Sequence, residues 1–330
     1  MGNIKNVLVT GGAGFIGSNI VQAYAASGAR VTVYDNLDPK SGANLYNLQD
    51  VMDRVTFVQA DILDAGRIES CIQGQDIVIH CAALTSHGQS MRAPMDNLEV
   101  NVRGTLHVLE AIRSQAPHAV LVHLGTSTQL GALHGGQGDE RSPEFPLDLY
   151  SANKTAAEKY VLIYGKHYGM RVAVARISNV YGPRAAIHTP ALTFNNYFVG
   201  QALQGRDITV YGDGRQLRNF IYVDDVVSAV MCMASGVVSA TDTPVFLVTG
   251  DVNCSVRRFA EDVVDVIGNG RLCSVPWPEQ AKAGEVGDVI LSNARMRSVF
   301  GWQPKIALKE GLSMTRDFYR TCLDKYVRSL

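Results

Sequence analysis

The chain has 330 residues, enough for one large α/β domain or two lobes sharing an interface, so its core needs no disulfide or metal scaffold. Hydrophobic residues make up 46% and charged residues 18%, and 30 Lys+Arg stand against 31 Asp+Glu, a balance that argues against disorder and against nucleic acid as a partner. The six cysteines, Cys71, Cys81, Cys232, Cys254, Cys273 and Cys322, form no Cys-x-x-Cys pair, so no metal site or disulfide framework is expected and a reducing cytoplasm fits.

Asn6-Val7-Leu8-Val9-Thr10 is strand-like from the start, and no signal peptide is read ahead of it. Further strands are predicted near 31–35, 55–60, 76–80, 119–124 and 171–176, with helices near 15–28, 64–72, 95–115 and 149–168 between them. This alternation implies an α/β fold built on a doubly wound parallel sheet, its strands apolar because helices cover both faces. Beyond 176 come Gly/Pro-rich loops, a helix near 191–204 and a Trp/Pro segment at 275–278, which read as a smaller, interleaved α/β lobe. Stretches near 224–235 and 245–248 again read as helix and buried strand. The expected division is therefore 1–176 with 224–250 returning to it, against 177–223 and 251–330. No apolar run approaches the roughly 18 residues that span a bilayer, so no membrane partner is expected.

Between the first strand and first helix, Thr10-Gly11-Gly12-Ala13-Gly14-Phe15-Ile16-Gly17 places glycines at 11, 14 and 17. Gly11 permits the tight turn, Gly14 lets backbone approach a pyrophosphate, and Gly17 lets helix and strand pack closely, while the helix N-terminus offers N–H donors to the anion. A glycine trio alone is weak evidence. It gains force because the next strand ends in Asp35, placed to accept from adenosine ribose hydroxyls and to repel a 2′-phosphate, which favours NAD over NADP. Asp61, after the third strand, could meet the adenine amino group or simply cap a helix. Ala82 and Ala83, after the fourth strand, leave room for a cofactor.

Tyr150 and Lys154 stand four apart on a predicted helix, so both project from one face. An ammonium near a phenol lowers its pKa from about 10 and makes it a base for a hydroxyl proton. Isolated Tyr/Lys pairs are ordinary surface features; downstream of a dinucleotide fingerprint the pair reads as catalytic. One strand upstream, Gly125-Thr126-Ser127-Thr128 puts hydroxyls at the ligand-binding edge of the sheet, although an ST-turn explains the composition equally well. Leu84-Thr85-Ser86-His87-Gly88-Gln89 borders the same edge. His87 is a possible second acid/base, but a loop histidine is more often a bystander.

With these residues in place, the sequence resembles the extended short-chain dehydrogenase/reductases, and among them the NAD-dependent nucleotide-sugar epimerases and dehydratases. TGGAGFIGS at 10–18, YDN at 34–36, Asn101-Val102-Arg103-Gly104-Thr105, YSANK at 150–154, RISNVYGPR at 176–184, YGDGRQLRNFIYVDD at 211–225 and the FGWQP to EGL tail at 300–312 carry the resemblance. It implies a Rossmann fold and a catalytic set of Thr126, Tyr150 and Lys154. NAD would lie against Gly11, Gly14, Phe15, Ile16, Gly17, Asp35, Asn36, Asp61, Ile62, Ala82, Ala83, Leu84, Asn101, Tyr150, Lys154 and Ile177. A nucleoside-diphosphate sugar would meet Ser86, Thr126, Ser127, Asn179, Tyr211 stacked on the base, Arg218 clamping the diphosphate, and Lys282. The long helices near 95–115 and 149–168 resemble the family's four-helix homodimer interface, with Leu106, Leu109, Ala156 and Val161 equally able to serve the monomer core.

Three departures narrow the expected chemistry. Ser127 and Thr128 occupy the places where family 4,6-dehydratases carry Asp and Glu, and a hydroxyl is a poor base at neutral pH. That disfavours dehydration, and the missing Glu also weakens a decarboxylase. Lys282 stands where many relatives have arginine, keeping the charge without the bidentate fork, and Leu130 replaces the usual tyrosine before Gly131. The expected activity is epimerisation of a UDP-sugar at C4 through a transient keto sugar. The alternatives are a dehydratase, a decarboxylase, a C2-epimerase, a simple reductase or, remotely, a non-catalytic NAD-sensing protein.

Overall fold

The computed structural model describes residues 5–38, 40–236, 244–279, 282 and 284–327. β1 (Asn6–Thr10), α1 (Phe15–Ala26), β2 (Arg30–Asp35), β3 (Val55–Gln59), α2 (Ala65–Ile72) and β4 (Ile77–His80) open the chain. The single helix expected near 95–115 is instead wound in pieces. α3 (His87–Arg92) precedes it, α4 (Pro94–Leu98) starts it, a π-helical turn at Glu99–Arg103 interrupts it, and α5 (Gly104–Gln115) completes it. Next come β5 (Val120–Thr126), β6 (Gln137–Gly138), α6 (Leu149–Tyr168), β7 (Arg171–Ile177), β8 (Asn179–Tyr181), α7 (Phe194–Leu203), β9 (Asp207–Tyr211), β10 (Leu217–Tyr222) and α8 (Val223–Ser235). β11 (Val245–Val248), β12 (Asn253–Ser255), α9 (Val256–Ile267), β13 (Arg271–Val275), β14 (Ile290–Leu291), α10 (Ala294–Phe300) and α11 (Leu308–Arg320) follow.

Among the described residues the central sheet has seven strands in the order β3-β2-β1-β4-β5-β7-β11, every neighbouring pair parallel. Its growth reverses between β1 and β4, and the crevice outside the strand ends at such a reversal is where doubly wound sheets bind ligands. Side chains alternate between two cores: Val7 and Val9 enter one, Leu8 the other, and all three are fully buried. As the sequence pattern anticipated, β11 rejoins this sheet beside β7, and α8 packs on α1, β5 and β7. The remaining strands form small sheets, β12-β10-β8, β13-β9 and β14-β6. Leu130, odd in the sequence, packs with Leu247 and Leu291, tying the segment after β5 to β11 and β14.

Helix α6 is bounded and pinned by polar contacts. The Asp148 carboxylate accepts from Ser151 N at 2.8 Å as its N-cap, and Gly169 closes it in the left-handed conformation. Within the helix Glu158, fully buried, accepts from Arg176 Nε at 2.9 Å and Nη2 at 2.6 Å and from Gln129 Nε2 at 2.9 Å. Arg176 Nη2 also donates to Glu144, which in turn meets Lys159. β7, α6 and the turn after β5 are thereby locked together. Of the residues weighed for a dimer face, Leu109 and Val161 are fully buried in the chain's own core.

Removing the guanidinium would strand a carboxylate in that core. Arg176→Leu should lower stability in urea unfolding by about 3–5 kcal/mol, and the double change with Glu158→Leu should recover most of the loss; a loss below about 1 kcal/mol would contradict the assignment.

Candidate active site

A cavity of about 790 Å³ opens at the C-terminal ends of β1, β4, β5 and β7, within the range of small-ligand sites. Gly11, Gly14, Phe15, Ile16, Gly17, Asp35, Asn36, Asp61, Ile62, Ala82, Ala83 and Leu84 line one part of it, and Ser86, Thr126, Ser127, Tyr150, Lys154, Ile177, Asn179 and Arg218 line the rest. Three expected residues lie off its lining. Asn101 sits one layer behind, Tyr211 leans against Trp277 with ring centroids 5.5 Å apart, and Lys282 is exposed. Tyr211 ends β9 and Lys282 follows β13, and neither lines the cavity.

The loop after β1 fits a dinucleotide. Gly11 has φ +66°, and a Cβ there would lie 2.7 Å from Ala82 N, while a Cβ at Gly17 would lie 2.1 Å from Gly11 O. Only glycine allows the chain to turn and the helix to sit this close to the strand. α1 begins at Gly14 with no side-chain cap, leaving its N-terminal donors for an anion. At the end of β2, Asp35 accepts from Ala13 N at 2.9 Å and Leu37 N at 2.8 Å. Burial raises its pKa and these two bonds oppose the rise, so a buried carboxylate is held where ribose hydroxyls would reach it. Asp61 does not cap α2, whose N-cap is Asp64; it closes a local turn, accepting from Leu63 N at 2.8 Å, and lines the cavity, accepting from Asn36 Nδ2 at 2.8 Å.

Asn101, in the π turn, accepts from Leu84 N at 2.8 Å and donates to Leu84 O at 2.9 Å. Asn97 joins the same carbonyl and accepts from Asn153 Nδ2 at 2.9 Å, which ties the loop after β4 to α6. The extra residue of a π turn re-aims side chains, and such turns often mark functional sites. Asn101 thus shapes the cavity wall from behind.

Thr126, Tyr150 and Lys154 converge at the cavity's centre. Burial pushes the pKa of the Tyr150 phenol up to about 12, and the Thr126 hydroxyl beside it pulls the other way. Lys154 does not deliver the lowering expected from the sequence. Its Nζ lies 3.2 Å from His123 Nε2, and burial depresses its own pKa to about 8. His123, buried and pushed well below its ordinary pKa by burial and by the Lys154 charge, is a neutral acceptor. His80 is likewise neutral, pushed down to about 3 chiefly by burial. Thr105 Oγ1 donates to Asn101 O at 2.7 Å, so it accepts from His80 Nε2 at 3.0 Å, and His80 Nδ1 then accepts from Thr10 Oγ1 at 2.7 Å. This assigns the tautomer and ties β1, β4 and α5 together beneath the glycine loop.

Thr126 Oγ1 accepts from Thr128 N at 3.2 Å, the ST-turn expected from composition, and the same hydroxyl faces the cavity. Arg218 also shows its plainer side: its guanidinium donates to Glu285 at 2.6 Å and to Gly287 O at 2.6 Å. A phosphate would have to compete with that carboxylate. Sequence reasoning missed Asn195, which lines the cavity with a buried Oδ1 that lacks a partner, and Asp148, which meets His87 at 2.6 Å. Asp148 was findable as the polar residue just before Leu149 at a helix start; Asn195 carried no signal.

Comparison with known proteins is consistent with this geometry. Residues 7–248 match the model of the NAD dependent epimerase/dehydratase family. The UDP-glucose 4-epimerase of Mycolicibacterium smegmatis is 32% identical over 95% of this chain and 98% of its own length. The dTDP-glucose 4,6-dehydratase of Streptomyces niveus is 30% identical over 95% and 92%. Among solved structures, UDP-glucose 4-epimerase from Thermotoga maritima superposes with a TM-score of 0.87 at 28% identity, covering 97% of this chain and all of that one.

Lys154 should be a stability liability. Its ammonium is disfavoured in the fold, so the penalty is fully present below about pH 8 and fades as pH rises toward 10.5, where the unfolded chain still binds the proton. At neutral pH Lys154→Met should therefore raise stability by about 1–3 kcal/mol, an advantage that shrinks above pH 8 in denaturant titrations; a destabilised variant would refute the account.

Proposed function

The chain belongs to the NAD-dependent epimerase/dehydratase family, and from that premise we propose that it epimerises a nucleotide-activated sugar, a UDP-sugar at C4, through a transient keto sugar. The turn after β5 carries the reading: Thr126 lines the cavity with Tyr150 and Lys154, and the next two positions hold the hydroxyls of Ser127 and Thr128, not carboxylates. When bound, NAD takes a hydride from the sugar carbon and returns it.

Every other step belongs to the chain. Gly11, Gly14 and Gly17 seat the pyrophosphate at the start of α1, and Asp35 takes the ribose hydroxyls. Tyr150 accepts the sugar hydroxyl proton and gives it back, with Thr126 orienting the reacting oxygen. Lys154, charged at neutral pH, holds cofactor and phenol in register. Asn179, Ser86 and Ser127 hold sugar and phosphate oxygens, and Arg218 turns from Glu285 to the diphosphate. Rotation of the keto sugar before hydride return inverts the carbon.

We further assign residues 1–176 and 224–250 to the NAD-binding lobe and 177–223 with 251–330 to the sugar-nucleotide lobe. A cytoplasmic homodimer through α5 and α6 fits unpaired cysteines and the exposed Tyr160, Ile163 and Tyr168 on α6. No described helix is long and apolar enough to cross a membrane. The second reading is a 4,6-dehydratase, favoured by the Streptomyces relative and by Asp148, whose carboxylate lines the same cavity.

UDP-, GDP-, CDP- and dTDP-sugars incubated in deuterated water and followed by mass spectrometry and NMR separate the readings. The expected product is an isomer of unchanged mass free of solvent deuterium, with turnover reduced about 10²–10⁴-fold in Tyr150→Phe. Loss of water or carbon dioxide, or deuterium on carbon, would replace epimerisation.

A further inference from the structure

The loop after β4 brings a histidine against the helix that carries Tyr150. His87 is the first residue of α3, which packs on α6, and it lines the cavity. Its imidazole stands edge to face with the Tyr150 ring, the centroids 4.9 Å apart, and its Nδ1 lies 2.6 Å from Asp148 Oδ2. That carboxylate is pinned by other bonds. Oδ1 accepts from Ser151 N at 2.8 Å as the cap of α6, and Oδ2 also accepts from Ser151 Oγ at 3.1 Å. Burial raises the Asp148 pKa, but the bonds from His87 and Ser151 lower it overall, so it stays an anion with acceptor lone pairs only. His87 Nδ1 therefore carries a hydrogen and donates it, and this holds for the neutral and the protonated ring alike.

The opposite nitrogen, Nε2, has no hydrogen-bond partner among the described residues, and the side chain is 46% exposed. A ring tied down at one nitrogen and open at the other, beside the phenol that handles a sugar hydroxyl, is placed for the next polar atom of the same ligand. Vicinal hydroxyl oxygens on a pyranose lie about one hydrogen-bond length apart, so a sugar that offers one to Tyr150 brings its neighbour toward the adjoining imidazole. We propose that His87 is a specificity-determining residue whose Nε2 holds the sugar hydroxyl vicinal to the one Tyr150 deprotonates, O3 where C4 reacts. Asp148 is its positioning residue. This rests on the nucleotide-sugar reading and adds the class of sugar accepted: one with a free hydroxyl beside the reacting carbon.

A hydroxyl suits this nitrogen in either charge state. Neutral, Nε2 is a lone pair that accepts from the hydroxyl; protonated, it donates to the hydroxyl oxygen. Ser86 beside it complements that role, because its Oγ accepts from Gln89 N at 3.2 Å as the cap of α3 and is left to donate to a ligand. A site that hydrogen-bonds a hydroxyl rejects the analogue lacking it, since its own polar group is then stranded. Water reaches the half-open His87 and replaces part of that bond, so the discrimination is modest, about tenfold.

Calorimetric binding to NAD-loaded enzyme tests the contact with UDP, UDP-glucose and UDP-3-deoxyglucose. The native enzyme should bind UDP-glucose about tenfold more tightly than the 3-deoxy sugar. His87→Phe keeps a ring against Tyr150 and removes both nitrogens; it should bind the two sugars equally, and UDP alone as the native enzyme does. His87→Gln, whose amide reaches toward the same oxygen, should restore the preference. A native enzyme without the preference, or a His87→Phe variant that keeps it, overturns the proposal and leaves the functional reading standing. Failure of all three ligands to bind overturns the functional reading and the sugar contact together. ¹⁵N spectra of histidine-labelled enzyme at alkaline pH read the positioning by Asp148 without a sugar. The neutral His87 ring should be the Nδ1–H tautomer in the native enzyme and the Nε2–H tautomer in Asp148→Asn, whose amide keeps the helix cap with its oxygen and turns its NH₂ toward Nδ1. An Nε2–H ring in the native enzyme overturns the assignment.

Discussion

The buried ion pair between Arg176 and Glu158 fixes the one helix on which the site depends. α6 carries Asp148, Tyr150, Ser151 and Lys154, and its distance from β5 and β7 sets where each of them points. Burying two charges costs several kcal/mol per ion before their attraction is counted, and well-packed hydrophobic residues could replace such a pair at little loss of stability. What apolar packing would not supply is direction. The forked guanidinium meets both Glu158 oxygens, Gln129 adds a third bond, and the helix is held against sliding by contacts that tolerate little change in geometry.

On that fixed helix, burial works against the ionisation that proton transfer needs. It raises the Tyr150 phenol and depresses the Lys154 ammonium, so the two groups meant to cooperate both drift toward neutrality. The surroundings limit the drift by staying neutral themselves. His80 and His123 are held uncharged beneath the site, and His123 offers Lys154 an acceptor without adding a competing cation. A phenol so placed is a weak base at rest.

The fold was legible because its signals are local and repeated. β-branched runs alternating with helical periods can bury themselves in few ways other than a doubly wound sheet, and even the return of residues 245–248 showed as an apolar run beyond a helix. The cofactor loop was legible because glycine spacing reports backbone geometry directly. Other features depended on partners far along the chain. Asp61 closes a turn with one oxygen and meets Asn36 with the other while lining the cavity, so the turn reading and the ligand reading of such a carboxylate do not exclude each other. Tyr211 and Lys282 were carried over from a family pattern, and neither lines the cavity. Four-residue spacing put Tyr150 and Lys154 on one helix face but did not tell that the Lys154 ammonium lies 3.2 Å from His123 Nε2. The π turn left no mark in the apolar pattern, and the pairing of His87 with Asp148 joins residues 61 positions apart.

The turn after β5 links specificity with proton movement. Two carboxylates at Ser127 and Thr128 would supply an acid and a base for elimination, but the Thr128 hydroxyl lies 2.8 Å from that of Ser151, which donates to Asp148, so a charge at 128 would stand near the Asp148 carboxylate. Two anions so near one another in a partly buried site raise one another's pKa and compete for the same proton. Hydroxyls avoid that conflict, since each donates once and accepts once and the line from Thr126 to Asp148 stays neutral until it reaches its anionic end. The residue choice that removes the means of eliminating water is therefore the same choice that joins Thr126, Thr128, Ser151 and Asp148 in one hydrogen-bonded line.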